Sequence, residues 1–315
     1  MVLHFCPDLC AHSIVIGNQF TFACGPYLPR SLTDFTFRFQ IPLALQQLPL
    51  GLATLRIYCK FRNPDSVTGF LYHLPMNLIA LHLENGSKMS DLAVPFLPPN
   101  LQILEITGNV VLSNASVNLL PRTLHSLILP GNSSLTSKCV AQFPPGLLIL
   151  DLESNPNLKD YAIRHLPRGI HTLKLNNSMN LTAAGIRHLP PCLRILNLAR
   201  NINIYRSAIA SLPQQIESLN LSSAIGLDDW CIPRLPRTLQ SLVLTCVSSL
   251  TDACVAHLPQ GLKILDMAHC TRLTVACVPH FPRSIHKIII PSHLIEPIRL
   301  NLPLVKKKYD QFIKK

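Results

Sequence analysis

Charge is scarce in this chain: only 14% of its residues are Asp, Glu, Lys or Arg, against 48% apolar residues. That balance excludes a disordered chain, which combines low hydrophobicity with high net charge. Aromatic residues make up only 6%, and none recurs beside the arginines. A base-stacking platform is therefore missing, and nucleic-acid binding is disfavoured although the net charge is +12 and the pI about 9.4. No uninterrupted apolar run reaches the length of a membrane span; the stretch 288–305 is broken by His293, Glu296 and Arg299. The first residues lack the basic start of a signal peptide and carry His4, Asp8 and His12 within their apolar stretch, so secretion is not expected. Nucleophile elbow, Walker loop and HExxH helix are all missing, and no enzyme activity is expected.

Proline, in contrast, is abundant and regular. It recurs at Pro98, Pro121, Pro144, Pro167, Pro190, Pro213, Pro236, Pro259 and Pro282, always 23 residues apart. With each proline as position zero, aliphatic residues fill +3, +6 and +8, as in Leu101, Leu104 and Ile106 or Leu239, Leu242 and Leu244. Position +11 is Asn in Asn109, Asn132, Asn155 and Asn201, and Ser178, Ala224, Val247 or Cys270 elsewhere. Residues +6 and +8 lie two apart, so an extended strand turns both to one face and +5, +7 and +9 to the other. One short strand cannot bury its own apolar face; stacked units pair their strands in parallel and join those faces into a core.

The rest of the unit reads as a return helix. An apolar residue at +14 precedes a hydroxyl at +15 in Ser113, Thr136, Thr182, Thr251 and Thr274, which is an N-cap signal. A small residue at +18, an aliphatic at +19 and Leu or Phe at +22 complete one helical or 3₁₀ turn with an inward face, and the next proline ends it. A buried Asn at +11 would answer backbone groups in the turn after the strand. Of 11 cysteines, Cys139, Cys231, Cys254 and Cys277 share the +18 column. They read as packed thiols in a reducing compartment. Sequons at Asn85, Asn114, Asn132, Asn176, Asn180 and Asn220 follow from the same turn grammar.

The LxxLxLxxN run resembles the leucine-rich repeat family over about nine-tenths of the chain. That resemblance implies an α/β leucine-rich repeat solenoid with a parallel sheet on the concave face and short helical or 3₁₀ turns on the convex face. Within the family, Cys270 to Thr274 and Leu250 to Asp252 resemble the CxxLTD signature of the cysteine-containing subtype found in F-box substrate receptors of ubiquitin ligases. The LPxxLxxLxL opening is similar to that of FNIP repeats of amoebae. Residues 1–28 are too short for an F-box.

Three segments follow: 1–28, an N-terminal cap or degenerate repeat with Ile14 and Ile16 at +6 and +8; 29–290, the solenoid as one elongated domain; and 291–315, a C-terminal cap with a basic tail. Cys6, Cys10, His12 and Cys24 lack the second tight pair of a zinc site. The unit opened by Pro49 runs to 26 residues, and residues 61–65 are expected to bulge as a loop. The lysine-rich tail suits either a solvated capping helix or a nuclear address in an otherwise cytoplasmic protein. His165, His188, His257 and His280 share +21 without carboxylates or cysteines beside them, which points to helix-edge packing and no metal or cofactor. Arg30, Arg122, Arg168, Arg237 and Arg283 at +1, with Arg164 and Arg187 at +20, form a basic edge.

Function in such a solenoid is expected on the outward strand positions. The +7 and +9 columns present Arg56, His82, Glu84, Glu105, Ile128, Asp151, Glu153, Lys174, Asn197, Asn220 and Asp266 as candidate partner-binding residues. Glu84, Glu105, Asp151 and Glu153 make an acidic strip of roughly 15 Å across neighbouring strands. Ile103, Ile128, Ile149, Ile195 and Ile264 interleave apolar anchors, so the strip suits a monomeric chain holding a protein or peptide with basic segments. An ordinary solvated sheet surface has the same composition. Beside this scaffold reading stand two others: a substrate-recognition subunit of an E3 ubiquitin ligase complex, which the resemblance implies, and a secreted or host-directed recognition repeat.

Overall fold

Strands form where the +6 and +8 aliphatics alternate with polar neighbours. In a computed structural model that describes residues 11–16, 28–38, 48–58, 64–84, 89–108, 112–178 and 180–301, the chain divides into two compact units, 1–157 and 158–315. The first holds β1 (Ser13–Ile16), β2 (Asp34–Phe37), β3 (Thr54–Tyr58), β4 (Ala80–Glu84), β5 (Ile103–Ile106), β6 (Ser126–Ile128) and β7 (Ile149–Asp151). The second holds β8 (Thr172–Lys174), β9 (Ile195–Asn197), β10 (Ser218–Asn220), β11 (Ser241–Val243), β12 (Ile264–Asp266) and β13 (Lys287–Ile289). Within each unit every strand pairs in parallel with its neighbours in sequence, column against column: Leu81 with Leu104, Leu219 with Leu242. Ile14 and Ile16 of β1 pair with Phe35 and Phe37, so the degenerate first unit keeps the repeat register. Leu104, Ile106, Leu127 and Leu129, like Leu219, Leu221, Leu242 and Leu244, are at most 1% exposed. Burying each such side chain is worth about 1.5–3 kcal/mol. Each unit is thus a leucine-rich repeat solenoid of parallel strands and short helical returns.

A left-handed residue follows each strand from β5 to β12. Position +10 has φ of 71° and 79° at Gly131 and Gly108, and between 56° and 61° at Ser154, Asn177, Arg200, Ser223, Cys246 and His269. The N–H of Gly131, Asn177, Arg200, Ser223 and Cys246 donates to the +9 carbonyl of the next coil, as Gly131 does to Glu153 and Arg200 to Ser222. Non-glycine residues there carry steric strain of about 1 kcal/mol or more. Arg200→Gly is therefore expected to raise stability by about 0.5 kcal/mol, and Gly131→Val to lower it by about 1–2 kcal/mol. Urea midpoints that move in the same direction for both variants would rule this account out.

The +11 asparagines do what their amides suggest. Asn132, Asn155 and Asn201 are 0% exposed. Asn155 and Asn201 donate Nδ2 to the +8 carbonyls of the preceding coil, Leu129 and Leu175, at 3.1 and 2.9 Å. Cys270 occupies the same place and its Sγ donates to Leu244 O at 3.3 Å. Asn109 lies outside the described residues.

On the return side, Ser113, Thr136, Thr182, Thr251 and Thr274 accept from the N–H two residues on, as N-caps. Each also reaches the residue at +16 of the previous coil. Asp160 accepts from Thr182 N and Oγ1 at 2.7 and 2.6 Å, and Asp229 from Thr251 at 2.9 and 2.6 Å. Asp252 does the same with Thr274, so the Asp of the LTD segment staples one coil to the next.

Cys139, Cys231, Cys254, Cys270 and Cys277 are buried free thiols, while Cys192 and Cys246 are exposed. Burial pushes the Cys139 and Cys270 thiols up to about 11 and Cys277 to about 12 from the ordinary 9.0, and raises Cys231 and Cys254 as well. Their stabilising contribution is complete below 9.0 and is lost as pH rises through the folded values, because only the unfolded chain ionises there. The urea midpoint should fall between about pH 9 and 12, and native protein should label with a thiol reagent at Cys192 and Cys246 alone among these seven. Rapid native labelling of Cys254 would contradict the packing role.

One expectation about the coils needs adjusting. Pro64 and Asp65 do not belong to a loop: they open the helix α1 (Pro64–Leu71). A proline has no N–H and so suits the first helical position, and the longer coil has room for a two-turn helix. Residues 61–63 lie outside the described residues, as do Cys6, Cys10, Cys24 and the basic tail beyond 301. After β13 the chain runs into a helix, Ser292–Asn301, with Leu294 buried.

Candidate protein-recognition surface

The outward face of the first unit is built by strand pairing. Arg56, His82, Glu105, Ile128 and Asp151 stand in one row because β3 to β7 pair in register. Tyr58 and Glu84 begin the +9 row beside it. Neighbouring strands lie about 4.8 Å apart, so long side chains in a row interact. His82 Nδ1 is 2.7 Å from Glu105 Oε2, with the two side chains 16% and 25% exposed. His82 Nε2 is buried and has no hydrogen-bond partner among the described residues. At the start of the +9 row, Arg38 sits over the Tyr58 ring, 4.9 Å from its centroid.

The four expected carboxylates are not equivalent. Glu84 and Glu153 are half-exposed, and Glu105 is engaged by His82. Asp151 is a correction: at 4% exposure it does not belong to an accessible strip. Its Oδ1 accepts from Glu153 N at 3.0 Å, closing the turn after β7. The same bond recurs in the second unit, from Ala199 N to Asn197 at 3.0 Å, Ser222 N to Asn220 at 3.0 Å and Ala268 N to Asp266 at 2.9 Å. An Asp or Asn at +7 thus closes its own backbone turn, which explains why these residue types recur there. Asn197, Asn220 and Asp266 stay half-exposed, as does Lys174.

Sequence reasoning missed Arg38 and Tyr58. The 20- and 26-residue units around them shift the count, yet both stand nine residues after a proline, Pro29 and Pro49. The apolar anchors are placed as expected: Ile149, Ile195 and Ile264 are 40–44% exposed. The +21 histidines divide, His165 and His188 half-buried and His257 and His280 exposed, with His165 against the Tyr161 ring at 4.4 Å. No group of His, Cys, Asp or Glu among the described residues could hold a metal ion, and no described helix is long and apolar enough to cross a membrane. Asn132, one of the sequons, is buried with its amide on Leu112 O.

No protein-family model matches this sequence, and no curated protein matches it. Among solved structures it is similar to a chain in the crystal structure of the Rad7 and Elc1 complex in yeast, with a TM-score of 0.52 and 18% identity, over 76% of this chain and 75% of that one. At that identity the likeness is one of fold, and the fold it shares is the leucine-rich repeat solenoid.

Proposed function

We propose that this chain is a non-enzymatic, intracellular protein-recognition scaffold whose first unit holds a protein or peptide with basic segments on its outward strand face. The observation that carries the reading is the pair of half-exposed carboxylates, Glu84 and Glu153, on a face where Ile103, Ile128 and Ile149 offer partly exposed apolar contact. His82, Glu105, Arg38 and Tyr58 give that face a fixed polar pattern. Affinity purification with mass spectrometry, run in parallel on the wild type and on a Glu84→Lys/Glu153→Lys variant, tests it. A partner set identical in both would remove the surface from consideration.

A second reading makes the chain the substrate-recognition subunit of an E3 ubiquitin ligase complex. It is supported by the fold likeness to a chain from a two-protein complex, Rad7 with Elc1. The residues that resemble the CxxLTD signature favour it less, since Cys270 and Asp252 act between coils. Co-purification with a cullin adaptor is the expected result under this reading alone.

The third reading, secreted recognition, meets a specific obstacle at Asn132, whose amide is internal. Glycan attachment there in the folded protein would overturn the present assignment.

A further inference from the structure

The second unit carries a patch that the repeat does not require. At +17, Trp230 stands where Ala184, Ser207, Ala253 and Ala276 stand in other coils of this unit; Tyr161 is the unit's other large residue in that column and lies against His165, and at +15 Tyr205 replaces the usual hydroxyl cap. Neither buries its ring: Trp230 is 65% exposed, Tyr205 54% and Ile225 73%. Ile202 shares the +12 column with Ile225 in the adjoining coil and is also exposed. The Tyr205 ring lies on Gly226, where any Cβ would collide with it, so the ring is seated beside Ile225. Arg206 bonds Asp228 across the same two coils, taking the place of the Asp–Thr staple. Large apolar groups kept in water, at positions where the fold accepts alanine or serine, bring the solenoid no burial.

Charge around the patch is net positive. Glu217 and Asp228 are ion-paired with Arg194 and Arg206, and Asp229, which keeps its charge, is bound by the N–H and hydroxyl of Thr251 in the next coil. Arg234 and Arg237 are exposed and donate to main-chain carbonyls, Trp230 O at 2.7 Å and Pro233 O at 3.3 Å. The Arg234 guanidinium also lies 5.8 Å from the Trp230 ring centroid. Carbonyls do not neutralise a guanidinium as a carboxylate does, so two cations rim an aromatic and aliphatic platform.

We propose that Trp230, Tyr205 and Ile225, rimmed by Arg234 and Arg237, form a second docking surface that takes an acidic peptide segment of a partner protein carrying an aliphatic or aromatic anchor. Exposed Trp, Tyr and Arg are the residue types that concentrate binding energy in protein interfaces. The acidic occupant follows from the unneutralised guanidiniums. This surface lies on the helical return of the second unit and is independent of the strand-face reading.

Trp230 is the single tryptophan in the chain, so its emission reports this site alone. The probes are a short tryptophan-free peptide of Glu interspersed with Leu and Phe, the same peptide with Lys for Glu, and an oligothymidylate. The expected result is a blue shift and protection from acrylamide quenching with the acidic peptide at low salt, and none with the lysine peptide. Arg234→Glu/Arg237→Glu should weaken that binding about tenfold or more, with the milder Arg234→Gln/Arg237→Gln variant intermediate. Full affinity in both variants overturns the proposal, as does equal protection by the two peptides or protection by the oligothymidylate alone. Protection that grows with protein concentration and tracks a dimer in sedimentation would assign the surface to a second copy instead.

Discussion

Asn201→Ala is expected to lower the stability of the chain by about 3 kcal/mol, more than any exposed-face substitution considered above. Asn201 is 0% exposed, and its Nδ2 donates to Leu198 O and Leu175 O, both at 2.9 Å. Its Oδ1 accepts from Ser178 N at 3.1 Å, so one side chain ties two coils through both ends of its amide. Alanine leaves a buried N–H and two carbonyls short of partners, each costing about 1–3 kcal/mol less whatever water recovers. Asn201→Cys should lose less, because Cys270 already bonds the corresponding carbonyl from the same position. Asn201→Asp should lose most: it presents a second acceptor to carbonyls and buries a charge. The ranking can be read from urea midpoints, and exchange at the Ser178 amide should accelerate in step. An alanine variant within about 0.5 kcal/mol of the wild type would show that the ladder is decoration.

Glu84→Lys/Glu153→Lys should weaken partner binding by at least about tenfold while shifting stability by less than about 1 kcal/mol. Both side chains are half-exposed, so reversing them changes the field offered to a basic segment without emptying any core position. Asp151→Lys is the control that separates recognition from folding. Asp151 is covered and its Oδ1 holds Glu153 N, so lysine there should cost about 1–3 kcal/mol of stability. If binding falls only with Asp151→Lys and in proportion to unfolding, the strand face is not a recognition surface. Raised salt should weaken the wild-type complex and leave the double variant's residual binding nearly unchanged.

A repeat makes its backbone legible because one physical solution has to satisfy every coil. The strand that begins at +5, the cap at +15, the small and aliphatic pair at +18 and +19, and the +11 amide could all be read from columns of residue types, and the side chains sit accordingly. Less legible were features that join one coil to another. Nothing local in Asp160 or Asp229 announces a bond to a threonine one coil later; that partner is set by the stacking of coils, which puts +16 beside the next +15.

The candidate site divided along the same line. By itself the sequence determined which side chains face outward, because alternation in a strand is a property of the local chain. Only the tertiary structure decided which of them remain available: it covered Asp151, joined Glu105 to His82, set Arg38 over Tyr58 and left Trp230 in water. Exposure and pairing depend on distances between coils, and those exist only once neighbouring strands have been placed side by side.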